Sequence, residues 1–262
     1  METTIRITIG FGLTILLVML RIEAERFGAA EYDEPVRGRS RSDLRRLAWY
    51  CLGVGGIVAL LFIHPNAGFD LRLNVGDRGG ILLGLALGGV GVAQAIGLAL
   101  YHYHRLRLPD FEAYPGALVN EILTAFIDEA TFRGALLGYL VWIGAPLDLA
   151  ILLQAIVYSL ATRLGAPGRS FYLFVLSLAI GLVGGWATQV TGGIGAAFLG
   201  HAITRVGVFL TTGHAGQLLR PRGSEPEDVE RRLRAPEGWR VVERGAREAP
   251  VRKTLRETGR DR

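Results

Sequence analysis

The sequence predicts an all-α protein: a polytopic membrane helix bundle with about seven transmembrane helices. Of its 262 residues, 50% are hydrophobic. Many of the charges lie in segment 213–262, so the rest of the chain is more apolar than a soluble domain of this size. Glycine is frequent, at 36 residues and without a Gly-X-Y repeat, which is typical of close-packed membrane helices. The single cysteine, Cys51, excludes an intrachain disulfide framework.

Mostly uncharged stretches long enough to cross the hydrocarbon core, about 20 residues each, define the predicted spans. They are Thr4–Leu20, Leu47–Ile63, Gly80–Tyr101, Pro115–Trp142, Ala145–Thr162, Phe171–Gln189 and Gly192–Thr212. We therefore divide the chain into N-terminal transmembrane helices and loops (1–114), a core that carries the polar motifs (115–212) and a charged, partly disordered tail (213–262). A cleaved signal peptide is the alternative for the first span, which lacks a convincing small-x-small cleavage site.

Arginine in the connections predicts the orientation of the bundle. Connection 21–46 is rich in arginine, whereas connections 143–144 and 190–191 contain neither arginine nor lysine. Because positively charged loops stay in the cytoplasm, we expect the N-terminus outside and tail 213–262 inside the plasma membrane of a prokaryote. This topology accounts for the formal net charge of +5. The expected partner is therefore the lipid bilayer and not nucleic acid.

The fourth span contains charged residues, which are costly inside a membrane unless they are paired or hydrated. Glu129 and Arg133 are four residues apart, a spacing that predicts an ion pair along one helix face. Asp128 lies about 100° away around the helix and can face a different neighbour. Glu121 precedes Asp128 by two turns, on nearly the same face.

The fifth and seventh spans carry further polar side chains at helical spacing. Gln154, Tyr158 and Thr162 form one stripe on the fifth span. His201 and Arg205 lie one turn apart on the seventh, after a run of small residues that permits close helix approach. We therefore expect His201 to reach a carboxylate. Two Gly-x-x-x-Gly patterns, at Gly84 and Gly181, predict helix packing and not nucleotide binding.

Three of these motifs together resemble a known family. The stretch Phe126–Gly134 is similar to the Glu-Glu-x-x-x-Arg motif of the CPBP intramembrane proteases, relatives of the CAAX prenyl endopeptidases and of bacteriocin-immunity (Abi) proteins. Tyr158-x-x-x-Thr162 stands in the place of that family's Phe-x-x-x-His motif, and His201-x-x-x-Arg205 in the place of its His-x-x-x-Asn motif. The resemblance covers about Pro115 to Thr212.

The resemblance implies an intramembrane endopeptidase that hydrolyses a peptide bond near the cytoplasmic face, in a peptide or a prenylated peptide. In the family, the first Glu and the two His activate a water, and the Asn helps to stabilise the oxyanion. Matching these positions one by one identifies the candidate site residues, which are Asp128, Glu129, Arg133, Thr162, His201 and Arg205.

Three of the matched positions depart from the family pattern. Asp128 replaces the first Glu, Thr162 the first His and Arg205 the Asn. We expect Arg205 to pair with Asp128 and fill the place of the catalytic water. This expectation supports an alternative function, a catalytically inactive CPBP-like protein that acts as a binding or scaffold module. A small transporter is a more distant alternative, because no inverted repeat is evident.

A metal centre is not favoured by the sequence. His201, Asp128 and Glu129 could supply three ligands, and a divalent metal is compatible with that set. However, the chain has no His-Glu-x-x-His motif, and Arg205 one turn from His201 would repel a dication. We therefore expect no cofactor.

Overall fold

The computed structural model describes residues 2–29, 40–106, 108–109, 114–166 and 171–213. Tail residues 214–262, for which partial disorder is expected, lie outside the described residues. The helices are α1 (Glu2–Ile22), α2 (Ala24–Phe27), α3 (Ser40–Ile63), α4 (Ala67–Asp70), α5 (Gly79–Tyr103), α6 (Tyr114–Glu129), a π-helical segment (Ala130–Leu136), α7 (Leu137–Trp142), α8 (Leu147–Leu164), α9 (Phe171–Thr191) and α10 (Gly195–Thr212). This part of the chain contains no strand, so the predicted all-α class is confirmed.

Five helices are long and apolar enough to cross a membrane: Glu2–Ile22, Asp43–Ile63, Gly79–Tyr103, Leu147–Leu164 and Phe171–Thr191. They coincide with five of the predicted spans, and the protein is an integral membrane protein. The other two predicted spans are also helical, as α6 to α7 and as α10. Both carry ionisable residues, which lower their mean hydropathy. The count of about seven spans stays a prediction.

The predicted long fourth span is continuous from Tyr114 to Trp142. Its middle, Ala130–Leu136, is π-helical. This conformation is rare in proteins overall, and where it occurs it is often at a functional site. Gly138 lies where a Cβ atom would come within 2.6 Å of Leu71 Cα. The loop after α4 therefore packs directly against this span.

Glycine lets the helices of the core approach closely. A Cβ atom on Gly84 of α5 would lie 2.9 Å from the Ala196 carbonyl oxygen of α10. On α9, a Cβ atom on Gly181 would lie 2.8 Å from Ala155 Cβ of α8. The two predicted Gly-x-x-x-Gly packing faces are thus confirmed.

The turn between α9 and α10 is as tight as its two glycines predict. Gly192 has a φ of +74°, a conformation that glycine adopts without steric cost. The carbonyl oxygen of Thr191 accepts a hydrogen bond from the Asp77 amide at 2.9 Å. This contact ties the turn to the segment that leads into α5.

Helices α1 and α3 lie against the long fourth span and form the largest apolar core. Trp49 of α3 is fully buried there and donates its indole N–H to the Leu20 carbonyl oxygen of α1 at 2.9 Å. Tyr139 of α7 packs in the same core, edge to face with Phe11 at 5.5 Å between ring centroids. The end of α1 is thereby held beside the charged part of α6.

Candidate functional site

A direct contact between the motif-bearing helices joins Glu129 of α6 to His201 of α10. Glu129 Oε1 lies 2.7 Å from His201 Nδ1, and both side chains are buried. A carboxylate oxygen accepts a hydrogen bond, so Nδ1 is the donor in this contact and Nε2 makes no contact with Glu129. The expectation that His201 reaches a carboxylate is confirmed.

The second carboxylate oxygen of Glu129 faces Arg133. Arg133 Nε lies 3.3 Å from Glu129 Oε2, with both side chains at most 1% exposed. The guanidinium also lies over the Tyr158 ring, 4.0 Å from its centroid, a favourable cation–π geometry. The predicted ion pair of Glu129 and Arg133 is confirmed, and Tyr158 of the α8 stripe holds the arginine in place.

Asp128 pairs with a residue that the motifs did not indicate. Arg21 Nε, at the end of α1, lies 2.8 Å from Asp128 Oδ1, with side-chain exposures of 1% and 0%. The expected pair of Asp128 with Arg205 is therefore wrong. Asp128 lies about 100° around α6 from Glu129, so it faces α1 while Glu129 faces α10.

Arg205 instead pairs with Glu121, whose Oε2 lies 2.7 Å from Arg205 Nε. Residues later on α10 thus meet residues earlier on α6, as His201 meets Glu129 and Arg205 meets Glu121. Because these two helices run antiparallel, one turn beyond His201 leads away from Asp128. This geometry is why Arg205 does not reach the predicted partner.

Glu121 extends a chain of polar contacts from α10 to α3. Its Oε1 accepts a hydrogen bond from Asn120 Nδ2 at 2.9 Å. The Tyr50 hydroxyl donates to Asn120 Oδ1 at 2.5 Å. These contacts therefore link α10, α6 and α3 through Arg205, Glu121, Asn120 and Tyr50.

The remaining predicted site residue, Thr162, is buried on α8 at 4% exposure. Its hydroxyl forms no hydrogen bond within the described part of the chain. Tyr158, one turn earlier on the same stripe, approaches His201 with ring centroids 6.4 Å apart. The structure thus places Thr162 on the predicted face of α8 but gives it no polar contact with Glu129 or His201.

Charges are balanced among the buried residues of this centre. Each of three carboxylates has its own arginine within ion-pair distance. The pairs are Asp128 with Arg21, Glu129 with Arg133 and Glu121 with Arg205. This balance offsets the cost of placing charges in a low-dielectric environment.

A cavity of about 290 Å³ opens beside Glu129 and His201. Its walls come from α5, α9 and α10 and are mostly apolar, with Leu87 and Val183 among the lining residues. Gly184 forms part of the wall, and a Cβ atom there would lie 3.0 Å from Arg133 Nε. A small residue at this position therefore leaves room for the Arg133 guanidinium, while Glu129 lines the cavity.

The residues of the centre do not fit a zinc site. Only Glu129 and His201 are in mutual contact, because Asp128 is held by Arg21. No group of three His, Cys, Asp or Glu side chains with metal-binding geometry occurs among the described residues. A zinc site needs at least three protein ligands, and Arg133 beside Glu129 disfavours a dication. The absence of a cofactor stays a prediction.

The fold and this centre define a polytopic membrane protein with a buried polar centre next to an apolar cavity. Residues 110–207 match the model of the family described as type II CAAX prenyl endopeptidase Rce1-like. This match is consistent with membership of the CPBP family, and it confirms the resemblance carried by the three motifs. Comparison with curated proteins gave no match, and neither did comparison with solved structures.

Arg21 and Asn120 both contact acids of the centre, and the sequence motifs indicate neither. Arg21 falls in the arginine-rich connection 21–46, directly after the first predicted span. Asn120 lies outside the three motifs, although it directly precedes Glu121 in α6. A polar residue next to a buried acid is a signal that could have identified Asn120, whereas nothing local to Arg21 points to Asp128.

Proposed function

We propose that this protein is an intramembrane endopeptidase of the CPBP type that hydrolyses a peptide bond inside the membrane, in a substrate that enters from the cytoplasmic face. The observation that carries the proposal is the 2.7 Å contact of Glu129 with His201 at the wall of an apolar cavity. The match of residues 110–207 to a CAAX prenyl endopeptidase family supports the same reaction class. A catalytic role for these residues is part of the proposal.

His201 acts as the general base in this mechanism. Its Nδ1 donates to Glu129 Oε1, so Nε2 takes a proton from a water molecule in the cavity. Glu129 fixes the tautomer and the ring orientation of His201, and its negative charge stabilises the imidazolium that forms. Arg133, paired with Glu129, holds the carboxylate in position.

The reaction balances with one water per bond cleaved. The water oxygen attacks the peptide carbonyl carbon while its proton moves to His201 Nε2. The carbon–nitrogen bond then breaks, and the leaving amine takes the proton from the imidazolium. The apolar walls of the cavity exclude bulk water and strengthen these electrostatic interactions.

The substrate in this proposal is a prenylated peptide or an unmodified membrane peptide. The cavity extends along α5 from Leu87 to Leu98, roughly 16 Å at 1.5 Å per residue. Tyr172, close to the start of α9, lines its far part. In the predicted topology these ends of α5 and α9 face the cytoplasm, so the substrate enters from that side.

A second candidate function is a catalytically silent CPBP-like binding protein. Its support is that two residues at family site positions are held in ion pairs. Asp128 pairs with Arg21, and Arg205 pairs with Glu121. Thr162 at a third position cannot take up a proton at neutral pH. In this alternative the cavity still binds a peptide, but no bond is cleaved.

Cleavage by the reconstituted protein separates the two functions. The full chain in liposomes is incubated with a farnesylated peptide that ends in a CAAX sequence and, separately, with an unmodified transmembrane peptide. Products are identified by mass spectrometry. We expect cleavage by the natural sequence and a loss of 100-fold or more, on the order of a general base's contribution, in Glu129→Gln and His201→Ala.

His104→Asn is the matched control for loss of a histidine. His104 is exposed at the end of α5 with a φ of +60°, a conformation that asparagine tolerates. This variant should cleave at the natural rate. If the natural sequence binds either peptide but cleaves neither, the silent function replaces the peptidase. Cleavage that survives both Glu129→Gln and His201→Ala would contradict the assigned base.

A further inference from the structure

Helix α5 contains one amide side chain within an otherwise apolar stretch. Gln94 lies in Gly79–Tyr103, a segment that satisfies the length and hydropathy of a membrane span. Its side chain is exposed, and the described part of the chain offers it no hydrogen bond. An amide without a partner in hydrocarbon costs several kcal/mol, so its position calls for a binding partner.

Gln94 faces the same cavity as Glu129 and His201. All three residues line it, together with apolar side chains such as Val90, Leu98 and Ile180. The lining therefore combines one Glu–His pair and one neutral amide with a largely apolar wall. An amide that lines the cavity is placed to meet a molecule bound there.

The packing of α5 against α10 sets how far Gln94 lies from the reacting groups. These helices run parallel, since Gly84 meets Ala196 and Gly91 meets Thr204. Gly200, which precedes His201, packs against Leu87 Cβ, where a Cβ atom would lie at 2.9 Å. Gln94 is seven residues beyond Leu87, so it lies roughly 10 Å further along the bundle.

We propose that Gln94 is a substrate-positioning residue that hydrogen-bonds the backbone of a peptide bound in this cavity. A glutamine amide offers both a donor and an acceptor, which matches the N–H and C=O of one peptide group. An extended chain advances about 3.3 Å per residue. The contacted peptide group therefore lies about three residues from the bond held at His201. This inference rests on the proposed function for the location of the scissile bond.

A hydrocarbon occupant is less well matched to these residues. A lipid or prenyl chain alone would leave the Gln94 amide without a partner, as the described part of the protein does now. A peptide backbone in the membrane has unsatisfied polar groups of its own, and the pairing satisfies both sides. The hydrogen bond between Gln94 and the peptide therefore contributes more binding free energy in the cavity than it would in water.

The test uses Gln94→Met, which keeps the length and volume of the side chain and removes the amide. Binding of a fluorescent farnesylated CAAX peptide, and of a fluorescent unmodified transmembrane peptide, is measured in liposomes in the His201→Ala background, which prevents turnover and keeps the Glu129–Arg133 pair. Gln94→Met should weaken the Kd about five- to tenfold, the value of one or two hydrogen bonds. Gln189→Met on α9, outside the cavity lining, is the matched control and should leave the Kd unchanged.

A backbone scan distinguishes a direct contact from a structural effect. Each peptide group within five residues of the scissile bond is N-methylated in turn, and each analogue is measured with and without Gln94→Met. At one position, about three residues from the scissile bond, the effect of Gln94→Met should disappear, because the contact is already lost. A general loosening of the cavity would reduce binding of every analogue equally.

The inference is overturned if Gln94→Met leaves binding unchanged or tightens it, if the N-methyl scan shows no coupled position, or if neither peptide binds. A change of oligomeric state in Gln94→Met would also overturn it, since the amide would then join two copies. Peptide coupling at Gln94 without any cleavage by the natural sequence would support the inference and refute the peptidase. Cleavage by the natural sequence that Gln94→Met leaves unchanged would support the peptidase and refute the inference.

Discussion

Arg21 and Asp128 illustrate how a buried charge constrains its neighbours. Both side chains are at most 1% exposed, and their nitrogen and oxygen atoms approach to 2.8 Å. Such a pair often adds little net stability, because desolvation offsets the attraction. Removing one partner is costly, since the other charge stays buried without compensation. The pair therefore makes the end of α1 a structural requirement of the site.

Loss of the Arg21 charge should destabilise the protein strongly. We expect Arg21→Leu to lower the free energy of unfolding by about 3–5 kcal/mol, measured by denaturant titration in bicelles. The double variant with Asp128→Asn should recover part of this loss, because no unpaired charge remains. Arg26→Leu is the control, as its pair with Glu23 is 80% exposed on the arginine side and contributes little. Additive effects of Arg21→Leu and Asp128→Asn would contradict the pair.

At the scale of elements, the site depends on the close approach of α9 to the fourth span. Gly184 of α9 lies where a Cβ atom would be 3.0 Å from Arg133 Nε and 3.4 Å from Glu129 Oε2. The absence of a side chain at this position leaves room for the guanidinium and for the adjoining cavity. The π-helical segment carries Arg133 at the same level.

A methyl group at Gly184 should lower both the stability of the protein and its rate of cleavage. We expect Gly184→Ala to destabilise the protein by about 1–3 kcal/mol, the usual cost of overpacking, and to reduce cleavage at the same time. Unfolding in bicelles and the liposome cleavage assay measure the two effects. Gly97→Ala on α5 has open space around its Cβ position and should change neither quantity. Equal behaviour of the two variants would exclude a steric role for Gly184.

At the scale of the whole molecule, the long helices fall into two groups that differ in polarity. Helices α1, α3, α5, α8 and α9 satisfy the length and hydropathy of a span. The path from α6 to α7 and helix α10 hold the buried acids, Arg133, His201 and Arg205. Their polar residues face other helices and not lipid, so they can cross the membrane despite a lower hydropathy.

Accessibility of two loop positions decides whether α6 to α7 crosses. After Cys51, the only cysteine, is changed to serine, a cysteine is introduced at Leu106 or at Ala145, on either side of the fourth span. A maleimide that cannot cross membranes is applied to intact cells. We expect Ala145→Cys to be labelled from outside and Leu106→Cys only after lysis, as the arginine distribution predicts. Labelling of both from one side would mean that the span does not cross.

Local pattern alone was sufficient for part of this protein. Hydropathy and length located the long helices of the described residues, because a span of about 20 apolar residues has no other stable state in lipid. Spacing of four residues predicted the Glu129–Arg133 pair, since such residues share a helix face. Small residues predicted the helix faces at Gly84 and Gly181. The resemblance of residues 115–212 to the CPBP family followed from the same short motifs.

Only the tertiary structure decided which charges on different helices meet. The pairs of Asp128 with Arg21 and of Glu121 with Arg205 join residues far apart in the chain, and periodicity carries no information about such distances. The crossing and direction of α1, α6 and α10 set these pairs, and with them the single contact between Glu129 and His201. Spacing along one helix is dictated by its own geometry, whereas partners on different helices depend on how the whole bundle packs.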